Sequence, residues 1–331
     1  MIPRLLLASL ILVTTAAADF EKWTNKDGKE AELELITAEE KDGAKTGEFV
    51  TRAGKTVSLK ELDLAPESAA KLKARTVAKI RYDYGSGSRP GENDPFAADG
   101  QEAPTGATFG FLAVGENLAG IRTAGETVAS FKVDGGAEWK SAKRKLEADP
   151  APATPKSAGG LREVKFRLFI EGDHSADELK SSQLKGTVQA VFGSGLKTAD
   201  AKLQLKGTKG GDIKSGKSAI GPFEVQVDQM NPFGDKEQLS VRIRDPKLGA
   251  AKEEVVASPF GDRRSVAPIP LQVAKIDVIA SGKKIENVNP AFLVEGSAAG
   301  GEVTVVIQYW SKLHEKTMSF EKSPGQFEQV Q

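Results

Sequence analysis

The stretch Glu30-Ala31-Glu32-Leu33-Glu34-Leu35 alternates charged and apolar residues without interruption. A period of two places Ala31, Leu33 and Leu35 on one face of a β-strand and three carboxylates on the other, the signature of a strand half in a core and half in water. Upstream, Asn25-Lys26-Asp27-Gly28-Lys29 contains Asp-Gly, which accepts the positive φ of a tight hairpin, while Phe20 and Trp23 supply apolar bulk to the incoming strand. Asp42-Gly43 marks a second turn, Gly47 to Arg52 a further strand, and Ala53-Gly54 a third turn into Thr56-Val57-Ser58-Leu59, where Val57 and Leu59 share a face. Pro66 to Lys73 then reads as a short helix, with proline and Glu67 in its first turn and lysines later, as helix-end electrostatics favour. Short strands closed by one helix make a single small core over residues 19–75.

The motifs Trp23 to Lys29, Ala31-Glu32-Leu33, and Gly54-Lys55-Thr56-Val57-Ser58-Leu59 with Leu62 resemble the first Sla homology domain. That is an SH3-like barrel of fungal endocytic adaptors and, in divergent form, of exported bacterial proteins. The chain departs from the family pattern at Ser58, where proline is common, and in a longer Thr37 to Lys45 connection. The adaptor domain binds an Asn-Pro-Phe-x-Asp peptide, so the resemblance implies recognition of a protein or peptide and not catalysis. Trp23 and its hairpin are the place to look for a groove, although Trp23 also suits a core. The chain itself contains Asn231-Pro232-Phe233-Gly234-Asp235; the related Ser258-Pro259-Phe260-Gly261-Asp262 argues that both are turns.

Residues 1–18 carry Arg4, an apolar run from Leu5 to Val13 and Ala16-Ala17-Ala18, the order of a secretory signal cleaved after Ala18. The run is too short for a bilayer, which takes about 20 residues. An exported chain without cysteine has no disulfides to hold it, so each domain needs its own core. With 46 basic and 46 acidic residues there is no net field for nucleic acid or an anionic membrane. Three Trp and three Tyr weigh against an extended sugar-binding cleft, and 34 glycines fit many turns.

Residues 76–106, rich in Gly, Ser, Pro and acids, read as a flexible linker. Asp94, Asp99 and Glu102 within it lack the dense oxygen spacing of a calcium loop. Strands are expected at Thr108 to Val114, Thr127 to Val133, Val164 to Ile170, Gly186 to Phe192, Ala201 to Leu205, Phe223 to Val227, Leu239 to Ile243, Leu271 to Ile279, Ala291 to Val294, Val303 to Trp310 and Lys316 to Phe320. This predicts a mainly β fold: a small SH3-like barrel, an immunoglobulin-like antiparallel β-sandwich region over 107–262, a smaller β unit or continuation over 263–322, and a loose tail from 323 to 331.

Gly211-Asp212-Ile213-Lys214-Ser215-Gly216-Lys217-Ser218 spells a phosphate loop, but Gly221-Pro222 falls where its helix must run, which leaves a loop between strands. Glu171 to Glu178 gathers acid, His174 and serine and reads as a solvated turn; His314, the other histidine, has no nucleophile motif beside it. No catalytic residue, metal or cofactor is assigned. The sequence therefore points to an exported, periplasmic or extracellular, non-catalytic binding or scaffold protein with a protein or peptide partner in the envelope. The alternatives are an exported hydrolase or carbohydrate-binding enzyme with carboxylates in the sandwich, and a purely structural envelope protein.

Overall fold

A computed structural model describes residues 20–41, 43–88, 106–122, 128–132, 144–148, 154–155, 161–171, 175–207, 213–233, 236–248, 254–257, 263–266, 269–285, 294–295 and 301–326. The fold is mainly β, with several antiparallel sheets. Among the described residues no helix is long and apolar enough to cross a membrane. The expected signal segment and Asp94, Asp99 and Glu102 lie outside the described residues.

Strands β1 (Glu21–Thr24), β2 (Glu30–Lys41), β3 (Ala44–Thr51) and β4 (Thr56–Lys60) form one sheet in that order. Gly28 and Gly54 take φ of 78° and 82° at two of its turns, a conformation in which a side chain is strained. Helix α1 (Pro66–Ala74) follows the sheet, and Ser68 Oγ accepts the Thr24 N–H at 2.9 Å. Trp23, Leu33, Leu35, Phe49, Leu64 and Leu72 make the core beneath. Trp23 is 2% exposed and meets Phe49 edge-on, ring centroids 4.6 Å apart. It is a core side chain and offers a partner no surface.

Strand β2 is not half-solvated as the alternation predicts. Ala31 is exposed, whereas every residue from Leu33 to Ala38 is buried, Glu34 included. A register shift between Leu35 and Thr37 turns Ile36 away from its own core and into a second one. The strand lies between two bodies.

The second body takes the chain from β5 (Lys79–Ser88) through β6 (Gly106–Glu116), β7 (Leu118–Arg122), β8 (Val128–Lys132), β9 (Arg144–Ala148), β10 (Thr154–Pro155) and β11 (Leu161–Glu171). Strands β10, β11, β6 and β5 are neighbours in a sheet, with β9 also on β11. The expected linker is thus strand at both edges: β5 pairs with β6, and Gly106, the first residue of β6, stands opposite Ser88. Residues 89–105 lie outside the described residues. After α2 (Ala176–Ser181) comes β12 (Gln183–Gln204), then β13 (Lys206–Gly207), β14 (Ile213–Ile220), β15 (Phe223–Phe233) and β16 (Lys236–Arg244). The hairpin β17 (Glu254–Ala257) and β18 (Arg263–Val266) precedes β19 (Val273–Ala280), β20 (Lys283–Ile285), β21 (Val294–Glu295) and β22 (Glu302–Lys322).

Two of these strands organise the rest. β12 and β22, 22 and 21 residues long, pair antiparallel from Leu184↔Lys322 to Gln204↔Glu302. They carry β7 and β8 on one edge and β19 with β20 on the other. At one end, Leu184, Val188, Ala190, Phe192 and Phe320 share a core with Phe109, Phe111, Phe166 and Leu168 of β6 and β11. At the other, Leu203, Val303, Val305 and Ile307 share a core with Val225, Val227, Val241 and Ile243 of β15 and β16. Four separately predicted strands are therefore two continuous ones, and β12, from the stretch 107–262, pairs with β22, from 263–322. The phosphate-loop lookalike is corrected too. Lys217 and Ser218 sit in β14, paired with Gln226 and Val225, in strand and not in a loop.

Core positions on β12 are even-numbered up to Phe192 and odd-numbered from Ala199; on β22 they are odd up to Tyr309 and even from Met318. Both changes fall where Gly195, at φ 65°, and Ser311 stand opposite each other outside the pairing, between Ser194↔Lys312 and Leu196↔Trp310. One extra residue on each strand is a matched pair of bulges, which leaves the register in step while flipping the alternation of both strands. The ribbon thereby keeps one face toward both cores.

The end of the ribbon is fixed by Lys322, fully buried, whose Nζ donates to Leu179 O at 2.9 Å, Ser182 O at 2.6 Å and Ser182 Oγ at 3.2 Å. These acceptors lie where α2 ends, where helix carbonyls lack partners. At the other end of α2, Ser175 and Glu178 form a capping box. Lys322→Met is expected to cost about 1–3 kcal/mol, because the carbonyls lose their donor while staying buried. Burial pulls the Lys322 pKa down to about 8. Between that value and the free-lysine range the unfolded chain holds a proton the folded chain has shed, so the wild type gains stability relative to the variant as pH rises through that window. Urea unfolding of both chains at two pH values checks this; parallel pH profiles would refute it.

Candidate functional site at the ribbon junction

Between the two cores the ribbon is gripped from several sides. Trp310 lies against Val191, Ala119 and Ala274, and its ring covers Gly193, where a Cβ would overlap the indole. The Trp310 N–H donates to Gln272 O at 2.8 Å, and the Gly193 N–H to Asn117 O at 2.8 Å. Arg162, buried on β11, stands with its guanidinium 5.9 Å from the Trp310 ring and donates through Nη2 to Ala274 O. Burial brings its pKa down to about 10.

The N-terminal sheet closes over the same point. Glu34, 6% exposed, accepts the Gly195 N–H through Oε1 at 2.7 Å. Asn117 Nδ2 donates to Leu35 O at 2.7 Å, and the Ala78 N–H to Ala38 O at 2.9 Å. Lys316 Nζ pairs with Glu39 and, at 3.0 Å, with Glu48. Ile36 and Val50 of this sheet belong to the core of the second body. The two bodies are in contact along β2 and β3, not merely joined by residues 76–106.

Beneath that contact Ser194 Oγ and His314 Nε2 share a hydrogen bond of 2.8 Å. Burial, and then Lys312, hold the histidine's pKa below its ordinary range, which favours the neutral imidazole. A hydroxyl beside a neutral imidazole is the chemistry of an activated nucleophile. Here Ser194 is 1% exposed, and the neighbouring Gly195 amide is taken by Glu34. The pair bonds β12 to β22.

The structure thus brings His314, Ser194 and Glu34 to one place, which the sequence reading did not. His314 lies 120 positions from Ser194, and only the pairing of β12 with β22 joins them. The available signal was the break in alternation at Gly193-Ser194-Gly195. Of the Glu171 to Glu178 cluster, Ser175 and Glu178 cap a helix, while Asp173 and His174 lie outside the described residues. Asn231, Pro232 and Phe233 end β15, and Gly234 and Asp235 lie outside the described residues. Asp228 forms a second polar knot: burial raises its pKa, but hydrogen bonds from Gln226, Ser215 and Arg242 outweigh that and leave it lowered. Among the described residues no group of three or more acids or histidines is placed to hold a metal ion.

Comparison with known proteins finds no matching family model, no significant match among curated proteins and none among solved structures.

Proposed function

We propose that this chain is an exported, non-catalytic binding or scaffold protein of the cell envelope. In this reading an SH3-like N-terminal module meets a protein or peptide partner, and an immunoglobulin-like β region holds that module at a set position. The observation that carries it is the continuous ribbon: two strands of 22 and 21 residues run through both cores. Ten antiparallel residues span about 34 Å, so such strands form a stiff spacer of several nanometres. At its midpoint Ser194 and His314 bond β12 to β22, while Glu34 and Glu39 bond the N-terminal sheet to the ribbon at Gly195 and Lys316.

Leu62, 62% exposed, is the place on the N-terminal module from which to test this. A photo-reactive residue at position 62 of the full chain, in its native host, is expected to give a discrete adduct with one envelope protein. The same residue at exposed Lys202, on the far half of the ribbon, is expected to give none. No adduct from position 62, together with turnover of ester or glycoside substrates by the purified chain, would sink the reading.

A further inference from the structure

We propose that the open edge of β4 is a strand-addition site for an extended peptide in which acidic and apolar residues alternate. This rests on the reading that the N-terminal module meets a partner, and it gives that contact its edge and the partner its chemistry.

The N-terminal sheet ends in β1 on one side and β4 on the other. The β1 side is covered: the Ala65 N–H donates to Thr24 O at 3.0 Å, the Lys26 N–H to Asp63 O at 3.1 Å, and Ser68 Oγ takes the Thr24 N–H. The β4 side has no such cover among the described residues. At the start of β4 the Thr51 N–H donates to Lys55 O at 2.9 Å, and the bonds alternate from there along the register that sets Val57 opposite Phe49. Val57 and Leu59 therefore bond to β3, while Thr56, Ser58 and Lys60, all exposed, turn their N–H and C=O groups outward. An open row of this kind is a template for another strand.

The two faces beside that edge set what the added strand must carry. Val57 and Leu59 share the face of Phe49 and pack on the module's core, yet both are only half-buried. Apolar side chains on the added strand would extend that core, and Leu62, exposed just past β4, prolongs the apolar rim. Thr56, Ser58 and Lys60 share the other face, that of Glu48 and Val50, which is turned to the ribbon. The neighbouring acids are already engaged: Glu32 pairs with Arg52, Glu48 with Lys316 at 3.0 Å and Glu61 with Lys73 at 2.9 Å. Lys55, Lys60 and Lys312, the last reaching Gly54 in the turn before β4, have no carboxylate partner among the described residues. Acidic side chains on this face of an added strand would meet those cations. A second copy of the chain would instead bring its own lysines to the same edge, the usual device against self-pairing.

The test uses the chain from residue 19 onward and the end-capped peptide Glu-Val-Glu-Val-Glu-Val-Glu, followed by fluorescence anisotropy of the labelled peptide and by amide hydrogen exchange. At saturating peptide, protection of the Thr56, Ser58 and Lys60 amides is expected to rise roughly tenfold or more, while the Val57 and Leu59 amides, already bonded to β3, change little. Ser58→Pro removes an outward donor without touching the ladder to β3, and Lys60→Glu reverses a charge; each is expected to weaken binding about tenfold or more while the urea midpoint stays put. In this pairing the peptide's glutamate N–H groups face β4, so N-methylation of the glutamates should abolish binding and N-methylation of the valines should not. Lysine in place of glutamate in the peptide should also abolish it. Equal affinity for the glutamate-methylated peptide, or unweakened binding to Ser58→Pro, would overturn the proposal, as would a dimer of the chain alone that Ser58→Pro dissociates. A cross-linked adduct from position 62 that persists in Ser58→Pro would overturn it too, while sparing the reading on which it rests.

Discussion

Gly193→Ala is expected to destabilise the chain by about 3 kcal/mol, the upper end of what one added methyl group costs in a packed interior. The reason is the indole of Trp310, which occupies the space a Cβ would need. The ring cannot swing clear, because Val191, Ala119 and Ala274 pack against it and the Arg162 guanidinium stands near its face. Nor can the backbone yield freely, since the Gly193 N–H is bonded to Asn117 O and the Trp310 N–H to Gln272 O. Trp310→Leu alone should also destabilise, through lost burial. The two changes together should cost less than their sum by about 1 kcal/mol or more, because each relieves what the other creates. Urea unfolding of the four chains decides it. Strict additivity would mean that the indole does not sit over Gly193.

The same junction shows what a sequence can and cannot say about this fold. The alternation over Val164 to Ile170 is legible because its buried residues Val164, Phe166, Leu168 and Ile170 face one core throughout. The turns at Gly28 and Gly54 are legible because a positive φ selects glycine locally. The length of β12 and β22 is not. Their alternation reverses at Gly195 and Ser311, so a reader looking for a period of two sees two short strands where one long strand carries a bulge.

The candidate site was hidden for a related reason. Ser194, His314 and Glu34 are brought together by the pairing of distant strands and the docking of a third, none of which leaves a local pattern. One trace existed: Leu35-Ile36 breaks the alternation that opens β2, and it is Ile36 that crosses into the neighbouring core. A resemblance confined to residues 19–75 favours a free module on a tether, and a tether would not bury Ile36, Val50 or Glu34.

Removing residues 19–75 is accordingly expected to weaken the remainder instead of leaving it untouched. The truncated chain would expose the core that Ile36 and Val50 help to cover, at about 1.5–3 kcal/mol for each of the two side chains. It would also leave Lys316, half-buried on β22, without Glu39 and Glu48, and Gly195 without its acceptor. Against a total stability of about 5–15 kcal/mol, a loss of about 3–6 removes a large share of it. Urea unfolding of residues 19–331 and 76–331, followed by far-ultraviolet circular dichroism, should therefore show a clearly lower midpoint for the shorter chain. Ile36→Asp in the full chain should reproduce part of that shift without removing the N-terminal sheet, since it places a charge in the shared core. Equal midpoints for all three chains would mean that the N-terminal sheet contributes nothing to the body beneath it and that the contact across β2 is not maintained in solution.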